Sequence, residues 1–448
     1  MNEPAVSMIS LGCAKNLVDS EGVLGALAER GCMVAARPDD ADVLLINTCG
    51  FIGDAREESL GVIEEATALK EADLIRGVVV FGCLVQLMSK RLAEQFPGVD
   101  AWIGLTDPGT VADACRQAAG GEKTFAVPDP CNRPIDNVPR LRVTPRHLAY
   151  LRIAEGCDNR CSYCLIPAIR GPLRSRPAEG IIAEAEQLVG DGARELIVIA
   201  QDTTNYGVDI HGEPRLPALL RQLRDVDGAA WIRLLYTHPA HFSDELVAVL
   251  AEGGPILPYV DLPIQHASDS ILASMGRKID QAGIRDAVGR IRSAVPEVVI
   301  RTSVIVGFPG EGEAEFNELL GFIREMKFER LGTFAYSQEA DTPAGALPDQ
   351  VDADVKSERL GAVMELQQEI ADEQSEALVG TEIEAVVDGK GPDGEWAGRT
   401  IRDAPDVDGA IRFENTDLKP GMFGQALITD AYGYDLIGKI IFPDGEDY

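Results

Sequence analysis

The sequence predicts an α/β protein of three units: an amino-terminal doubly wound parallel-sheet domain (1–126), a linker (127–146), a central partial (β/α)6 barrel (147–377) and a small carboxy-terminal all-β module (378–448). Three observations carry that expectation. An apolar β-type run, a cysteine and a helical stretch recur three times before residue 120. The same strand-then-helix alternation resumes for six units beyond a Pro-rich break. From about Leu378 the pattern gives way to short β-type runs separated by Gly, Pro and Asp. A length of 448 residues, against ~150 per domain, also argues for several units.

In the first unit VSMISLG leads to Cys13, DVLLINT to Cys49 and RGVVVFG to Cys83, with amphipathic stretches such as DAREESLGVIEEATALK between them. Ligands of such sheets gather beyond the carboxyl ends of the strands, so the three cysteines are expected to converge on one edge although far apart in sequence. Gly12, Gly50 and Gly82 flank them, which suits tight turns around a bulky inorganic group. VPDPCNRPIDNVPRLRVTPR then breaks the periodicity and reads as a linker.

Beyond it, LAYLRIA enters a loop holding Cys157, Cys161 and Cys164. ARELIVIA leads to Gln201 and Asp202, AAWIRLLY to His238, PYVDLPI to Gln265 and His266, EVVIRTSVIVG to Phe308–Glu311, and LGTFAYS closes the set. Barrel chemistry sits at strand carboxyl ends, so the cysteine loop lies at that mouth. The helical stretch VKSERLGAVMELQQEIADEQSEAL joins the barrel to five β-type runs, TEIEAVVD, EWAGRT, GAIRF, FGQALITDA and YDLIGKIIF.

Composition excludes several classes. Hydrophobic residues at 45% and charged residues at 25% are those of a soluble globular protein. The first twenty residues lack a basic start with an apolar core, and no stretch nears ~18 uninterrupted apolar residues, so a cytoplasmic protein is expected. Nine unevenly clustered cysteines in such a chain suit metal binding or catalysis better than disulfides. The net charge is -32, and residues 378–448 alone carry -9. Such a field attracts basic partners and repels phosphate backbones, although an acidic surface can equally serve solubility.

The spacing of Cys157, Cys161 and Cys164 discriminates among cofactors. Structural zinc wants four protein ligands, and no fourth Cys or His lies near this loop. A c-type haem needs Cys-x-x-Cys-His, but Leu165 follows Cys164. A two-cluster ferredoxin needs a fourth cysteine before a proline. Three thiolates fit a cubane with one iron left without a protein ligand; the alternative is three structural cysteines holding no cofactor.

This loop, after the first strand of an α/β barrel, resembles that of the radical S-adenosylmethionine enzymes, and CSYCLIPAIRGPLRSRP is similar to their methylthiotransferase branch. The resemblance covers essentially the whole chain: an amino-terminal domain with three cysteines, a radical core, and a carboxy-terminal OB-like TRAM module. SLGCAKNLVDSE, NTCGFI, FGCL, AQDTTNYGVD, LPIQHAS, IVGFPGE and LPDQV resemble the group acting on an aspartate of small-subunit ribosomal protein S-twelve. The tRNA-modifying relatives look less similar, especially at Lys15 to Val18 and Gln265 to Ser268.

The resemblance implies two 4Fe-4S clusters. At the Cys157, Cys161, Cys164 cluster the open iron would bind the amino and carboxylate groups of S-adenosylmethionine. One electron, from a flavodoxin- or ferredoxin-type donor, would cleave it to methionine and a 5'-deoxyadenosyl radical. Cys13, Cys49 and Cys83 match a second cluster, which supplies or carries the sulfur that is methylated and inserted, S-adenosylmethionine being also the methyl donor. Where that sulfur originates stays open. Tyr163 is expected beside the adenine or simply packed. Gln201 and Asp202 are expected at the ribose or methionine, and Gly307 in the Gly307–Glu311 turn near the adenine. Arg174 and Arg176 are candidates for the methionine carboxylate or for solvent. His238 and His266 could touch the target peptide, although packing histidines are commoner. No residue is assigned as catalytic, and Cys32, Cys115 and Cys131 are read as structural or incidental.

Three functions remain in order of preference: methylthiolation of the β-carbon of an aspartate on a basic ribosomal protein, methylthiolation of a tRNA adenosine, and an iron-sulfur carrier. Stable tRNA binding wants a basic track that the acidic terminal module makes awkward. A carrier would not need a barrel and a third domain.

Overall fold

The fold is that of a computed structural model, which describes residues 3–136 and 138–442. The outermost residues of the expected terminal units, 1–2 and 443–448, and Asn137 of the linker lie outside the described residues.

The amino-terminal elements follow in the order β1 (Ala5–Ser10), α1 (Ala14–Glu29), β2 (Met33–Val34), β3 (Val43–Thr48), α2 (Gly53–Glu71), β4 (Gly77–Gly82), α3 (Cys83–Gln95), β5 (Ala101–Ile103), α4 (Pro108–Ala119) and β6 (Thr124–Ala126). The strands form one parallel sheet in the order β2-β1-β3-β4-β5-β6. VLLINT and GVVVFG are buried at every position, as central parallel strands covered on both faces must be. Val43, Leu45, Val79 and Phe81 pack with Leu27 of α1 and Val111 of α4. Their neighbours Leu44, Ile46, Val78 and Val80 pack with Ile63 of α2 and Leu84 of α3. β2, β5 and β6 escape sequence reading because two or three residues carry no periodicity.

The central unit comprises β7 (Leu148–Arg152), β8 (Ala154–Glu155), α5 (Ile166–Arg170), β9 (Arg174–Ser175), α6 (Ala178–Gly190), β10 (Glu195–Ile199), α7 (Val208–His211), α8 (Leu216–Arg224), β11 (Trp231–Leu234), α9 (Asp244–Glu252), β12 (Ile256–Asp261), α10 (Asp269–Ser274), α11 (Gln281–Ala294), β13 (Val299–Val306), α12 (Glu313–Met326), β14 (Arg330–Ala335) and α13 (Ala353–Glu376). Six parallel strands run in the order β14-β13-β12-β11-β10-β7. β7 and β14 each end the sheet, so the barrel is open. β8 and β9 form a separate antiparallel pair that brackets the cysteine loop.

The last unit is a closed barrel, β15 (Glu382–Lys390), β16 (Trp396–Thr400), β17 (Ile411–Phe413), β18 (Phe423–Tyr432) and β19 (Asp435–Ile441). Side-chain alternation explains where it docks. Outward residues Leu196, Val198, Ile232 and Val260 meet the barrel helices, whereas inward Leu148, Tyr150, Ile197, Trp231, Tyr259 and Val299 meet Val386, Ala404 and Phe423. The small barrel thus plugs the amino-terminal end of the large one. Glu195, fully buried, is paired with Arg233 at 2.8 Å and with Arg399 of β16 at 2.7 Å. Trp231 donates its indole N–H to Glu384 at 2.6 Å, and Arg330 pairs with Asp403 at 2.5 Å. The carboxyl ends of the strands stay free for chemistry. Among the described residues no helix is long and apolar enough to cross a membrane.

Candidate active site: two cysteine triads

β1, β3 and β4 are neighbours in the sheet, and Cys13, Cys49 and Cys83 follow their carboxyl ends. A Cβ on Gly12 (φ +94°) would stand 2.9 Å from the Cβ and 3.1 Å from the Sγ of Cys49; one on Gly50 would stand 2.8 Å from the Cα of Leu84 and 3.1 Å from the carbonyl carbon of Cys83. These two glycines therefore let the three turns touch, at positions where any side chain would wedge them apart. Asn16 stitches the edge, its amide donating to the carbonyls of Leu11 at 3.0 Å and Thr48 at 3.1 Å. Burial pushes the Cys83 thiol up to about 11, against the pull of Arg170. For Cys13, burial is outweighed by Lys15 and Arg170, which draw its thiol below the ordinary value.

The second triad lies in an irregular loop pinned on both flanks. Gly156 (φ +75°) has no room for a Cβ against the carbonyls of Gly171 and Pro172. The Cys157 amide donates to Gly171 O at 3.1 Å, and Asp158 accepts from the Leu173 amide at 3.1 Å. On the other side Ser162 donates its amide to Met275 O at 2.9 Å and its hydroxyl to Ser274 O at 2.7 Å. All three cysteines are half-buried. Burial raises Cys157 to about 11 and Cys164 to about 12, so ionisation there calls for a positive partner such as a metal.

Each triad offers three soft thiol donors, the ligand type of iron-sulfur clusters, and three thiols leave one iron of a four-iron cluster without a protein ligand.

The remaining candidates divide. Asp202 is buried and accepts from Asn159 and Asn205, each at 2.7 Å, with His241 Nδ1 at 3.1 Å. Burial alone would raise its carboxyl, but His241, His238 and Thr204 hold it down at about 2. Gln201 donates to Glu155 at 3.0 Å and keeps a buried Oε1 with no partner, a spare acceptor at the mouth. Tyr163 packs with Met275, Phe308 and Tyr336, beside the turn that holds Gly307. Gly307 adopts φ +71°, and the amides of Gly307 and Phe308 are taken by Glu311 at 2.8 and 3.3 Å, so they are not free for a ligand.

Arg174 gains no support as a carboxylate partner: its terminal nitrogens donate to the carbonyls of Cys131, Arg133 and Pro130 in the linker. Arg176 is equally committed, to Asp136 at 2.7 Å and Glu184 at 2.5 Å. His266 is fully buried with Nδ1 accepting from the Ser268 amide, and His238, lowered to about 3 chiefly by burial and Arg277, accepts from the Ala240 amide. Cys32 and Cys115 lie in the core between the sheet, α1 and α4. Cys131 occupies a short turn in the linker, against Gly171.

A buried charge network joins the two α/β units beside the triads. Asp19 of α1 meets Arg133, Arg152 and Arg170, while Glu155 meets Arg170 at 2.8 Å and Arg152 at 3.1 Å. The linker is thereby built into the interface, since Arg140 also pairs with Glu21 and Glu184, each at 2.5 Å. Sequence reading missed Asn16, Asp19, Glu155, Arg170, His241 and Arg277. The one available signal was a charged residue inside an apolar run, as in IPAIRG.

The three units match known families. Residues 5–104 match Uncharacterized protein family UPF0004, residues 151–323 the Radical SAM superfamily and residues 379–441 the TRAM domain. A protein of Desulforamulus reducens named ribosomal protein uS12 methylthiotransferase RimO is 44% identical over 98% of this chain and 99% of its own. Proteins of the same name from Geobacter sulfurreducens and Clostridioides difficile are 43% and 40% identical, over 97% and 98% of this chain and 98% and 99% of theirs. The chain belongs to the RimO methylthiotransferase family.

Solved structures agree on the fold. The radical S-adenosylmethionine methyltransferase TsrM from Kitasatospora setae superposes with a TM-score of 0.56 at 18% identity, covering 77% of each chain. OxsB, a cobalamin-dependent radical enzyme, gives 0.52 at 11% identity over 82% of this chain and 56% of its own. Membership of the RimO family accounts for the three units in this order.

Proposed function

We propose that this chain is a radical S-adenosylmethionine methyltransfer and sulfur-insertion enzyme that adds a methylthio group to the β-carbon of an aspartate in ribosomal protein uS12. The observation that carries the reading is 44% identity over nearly the full length to a uS12 methylthiotransferase, in a chain with one cysteine triad at the strand ends of each of its two α/β units.

Cys157, Cys161 and Cys164 would hold one 4Fe-4S cluster, and Cys13, Cys49 and Cys83 the other. With S-adenosylmethionine, an open-iron cluster supplies one-electron chemistry for an unactivated C–H bond, which side-chain acids and bases cannot break. The chain's own residues then bind, orient and exclude water. Gln201 offers its free Oε1 to a polar ligand group. Asp202, kept ionised, fixes Asn159 two residues from Cys157. Tyr163, half-buried and backed by Phe308 and Tyr336, gives an apolar surface suited to an adenine. The C-terminal barrel packs against the inward residues of the larger sheet and leaves the carboxyl ends of its strands for the substrate.

A net charge of -32 favours a basic ribosomal protein over tRNA. We further propose a cytoplasmic location, a flavodoxin- or ferredoxin-type electron donor, an accessory sulfur source, and functional units at 1–126, 147–377 and 378–448 joined by 127–146. Mass spectrometry of uS12 from cells with and without the gene tests the substrate: a methylthio-aspartate present only with the gene is expected. The modification persisting after deletion in cells with no second copy overturns the reading.

A further inference from the structure

We infer that Arg170 is a positioning residue for the amino-terminal cluster, a fixed guanidinium that donates to the sulfur of Cys83 and thereby sets that cluster's reduction potential. The inference rests on the reading that Cys13, Cys49 and Cys83 are cluster ligands.

Arg170 ends α5, six residues after Cys164, yet it reaches into the other domain. Its Nη2 lies 3.3 Å from Cys83 Sγ, 2.6 Å from Asn16 Oδ1 and 3.0 Å from Asp19 Oδ2, while Nη1 donates to Glu155 at 2.8 Å. The side chain is 2% exposed, so neither water nor salt screens it. Leu165 and Ile169 of the same segment pack against Cys83, so the short helix and the cysteine move as one body.

An ion pair that merely joined two domains would need only Asp19 and Glu155, and both already have Arg133 and Arg152. The third guanidinium adds a donor on a ligand sulfur. Each electron entering a cluster adds negative charge, so a buried cation with an N–H···S contact stabilises the reduced form more than the oxidised one and raises the potential. Arginine suits the role because its charge is permanent and its fork holds sulfur and carboxylates together. Arg170 also spans from the radical loop to the sulfur-handling triad, through Glu155 to Gln201 at the barrel mouth.

The test uses the full chain with Cys157→Ala, Cys161→Ala and Cys164→Ala, so that only the amino-terminal cluster is read. After anaerobic reconstitution, iron content and an EPR-monitored redox titration are compared for this parent, Arg170→Met, Arg170→Lys, and Arg170→Met with Asp19→Asn, which keeps the net charge of the network. Arg140→Gln removes an arginine of the same interface, its side chain 8% exposed, whose hydrogen bonds go to no cysteine, and serves as the control. The reduced-to-oxidised ratio at fixed potential should fall at least tenfold in the Met variants, a shift of about 59 mV to the negative. It should fall less in Arg170→Lys and stay constant in Arg140→Gln. An unshifted midpoint in a folded, iron-loaded Met variant overturns the inference. If neither Met variant folds, an unshifted midpoint in Arg170→Lys, or an equal shift in Arg140→Gln, overturns it. A parent that binds no cluster instead defeats the ligand assignment of the first triad.

Discussion

Asp202 is ionised while buried because three neutral donors and a histidine surround it, and its partner Asn159 belongs to the cysteine loop. Charge-assisted hydrogen bonds of this kind are worth about 1.5–3 kcal/mol each. Asp202→Asn sets an amide against the amides of Asn159 and Asn205, so iron retained by the Cys157 loop should fall while the four irons of the first triad persist. Iron analysis in a Cys13→Ala, Cys49→Ala, Cys83→Ala background measures the loss directly. Cys161→Ala should abolish reductive cleavage of S-adenosylmethionine, followed by chromatography of methionine and 5'-deoxyadenosine, and leave the first cluster's EPR signal in place. Continued cleavage would remove the loop from its assigned role.

Elements decide which of these residues meet. The 157–164 loop has no regular structure of its own, and its shape comes from the β8–β9 pair on one flank and the end of α10 on the other. Gly156 is the tightest point, since an added methyl would both meet two carbonyls and favour leaving φ +75°. Gly156→Ala should cost about 1–3 kcal/mol from the strained backbone alone, plus the clash. The expected result is a lower melting temperature together with loss of iron from this loop. A loop that keeps its iron and its melting temperature would show that the flanks tolerate displacement. The five C-terminal strands were all legible because each is a short β-type run set off by Gly, Pro or Asp. The β8–β9 pair was not, since two residues per strand pair only after the intervening loop has closed.

Over the whole molecule, buried ion pairs join the three units. Removing one member of such a pair leaves a charge stranded, at a cost of about 3–5 kcal/mol. Arg399→Leu should therefore destabilise the docking of the C-terminal barrel onto β10 by that order, read as a lower urea midpoint. Glu155 gives the pH dependence. Burial alone would raise its carboxyl, but Arg170, Arg133 and Arg152 bring it down to about 2, below the ~4.3 of an unfolded glutamate. A depressed folded value means the stabilisation is complete above ~4.3 and is lost as pH falls through about 2. Urea unfolding between pH 5 and pH 2 should show that loss, and Glu155→Gln should reduce the slope.

Local pattern by itself determined the series of three units, the placement of the cysteine triads after strands and the acidic character of the chain. These follow from period-2 and period-3.6 signals, spacing and charge, all carried by neighbouring residues. Only the tertiary structure decided that the C-terminal barrel plugs the larger one, that the linker is a structural part of the interface, that Arg174 and Arg176 serve carbonyls and carboxylates of the protein, and that Arg170 lies against Cys83. Residues 19, 133, 152, 155 and 170 are scattered over three segments, and a buried charge selects its partner by desolvation and geometry. Neither quantity exists until the chain has folded.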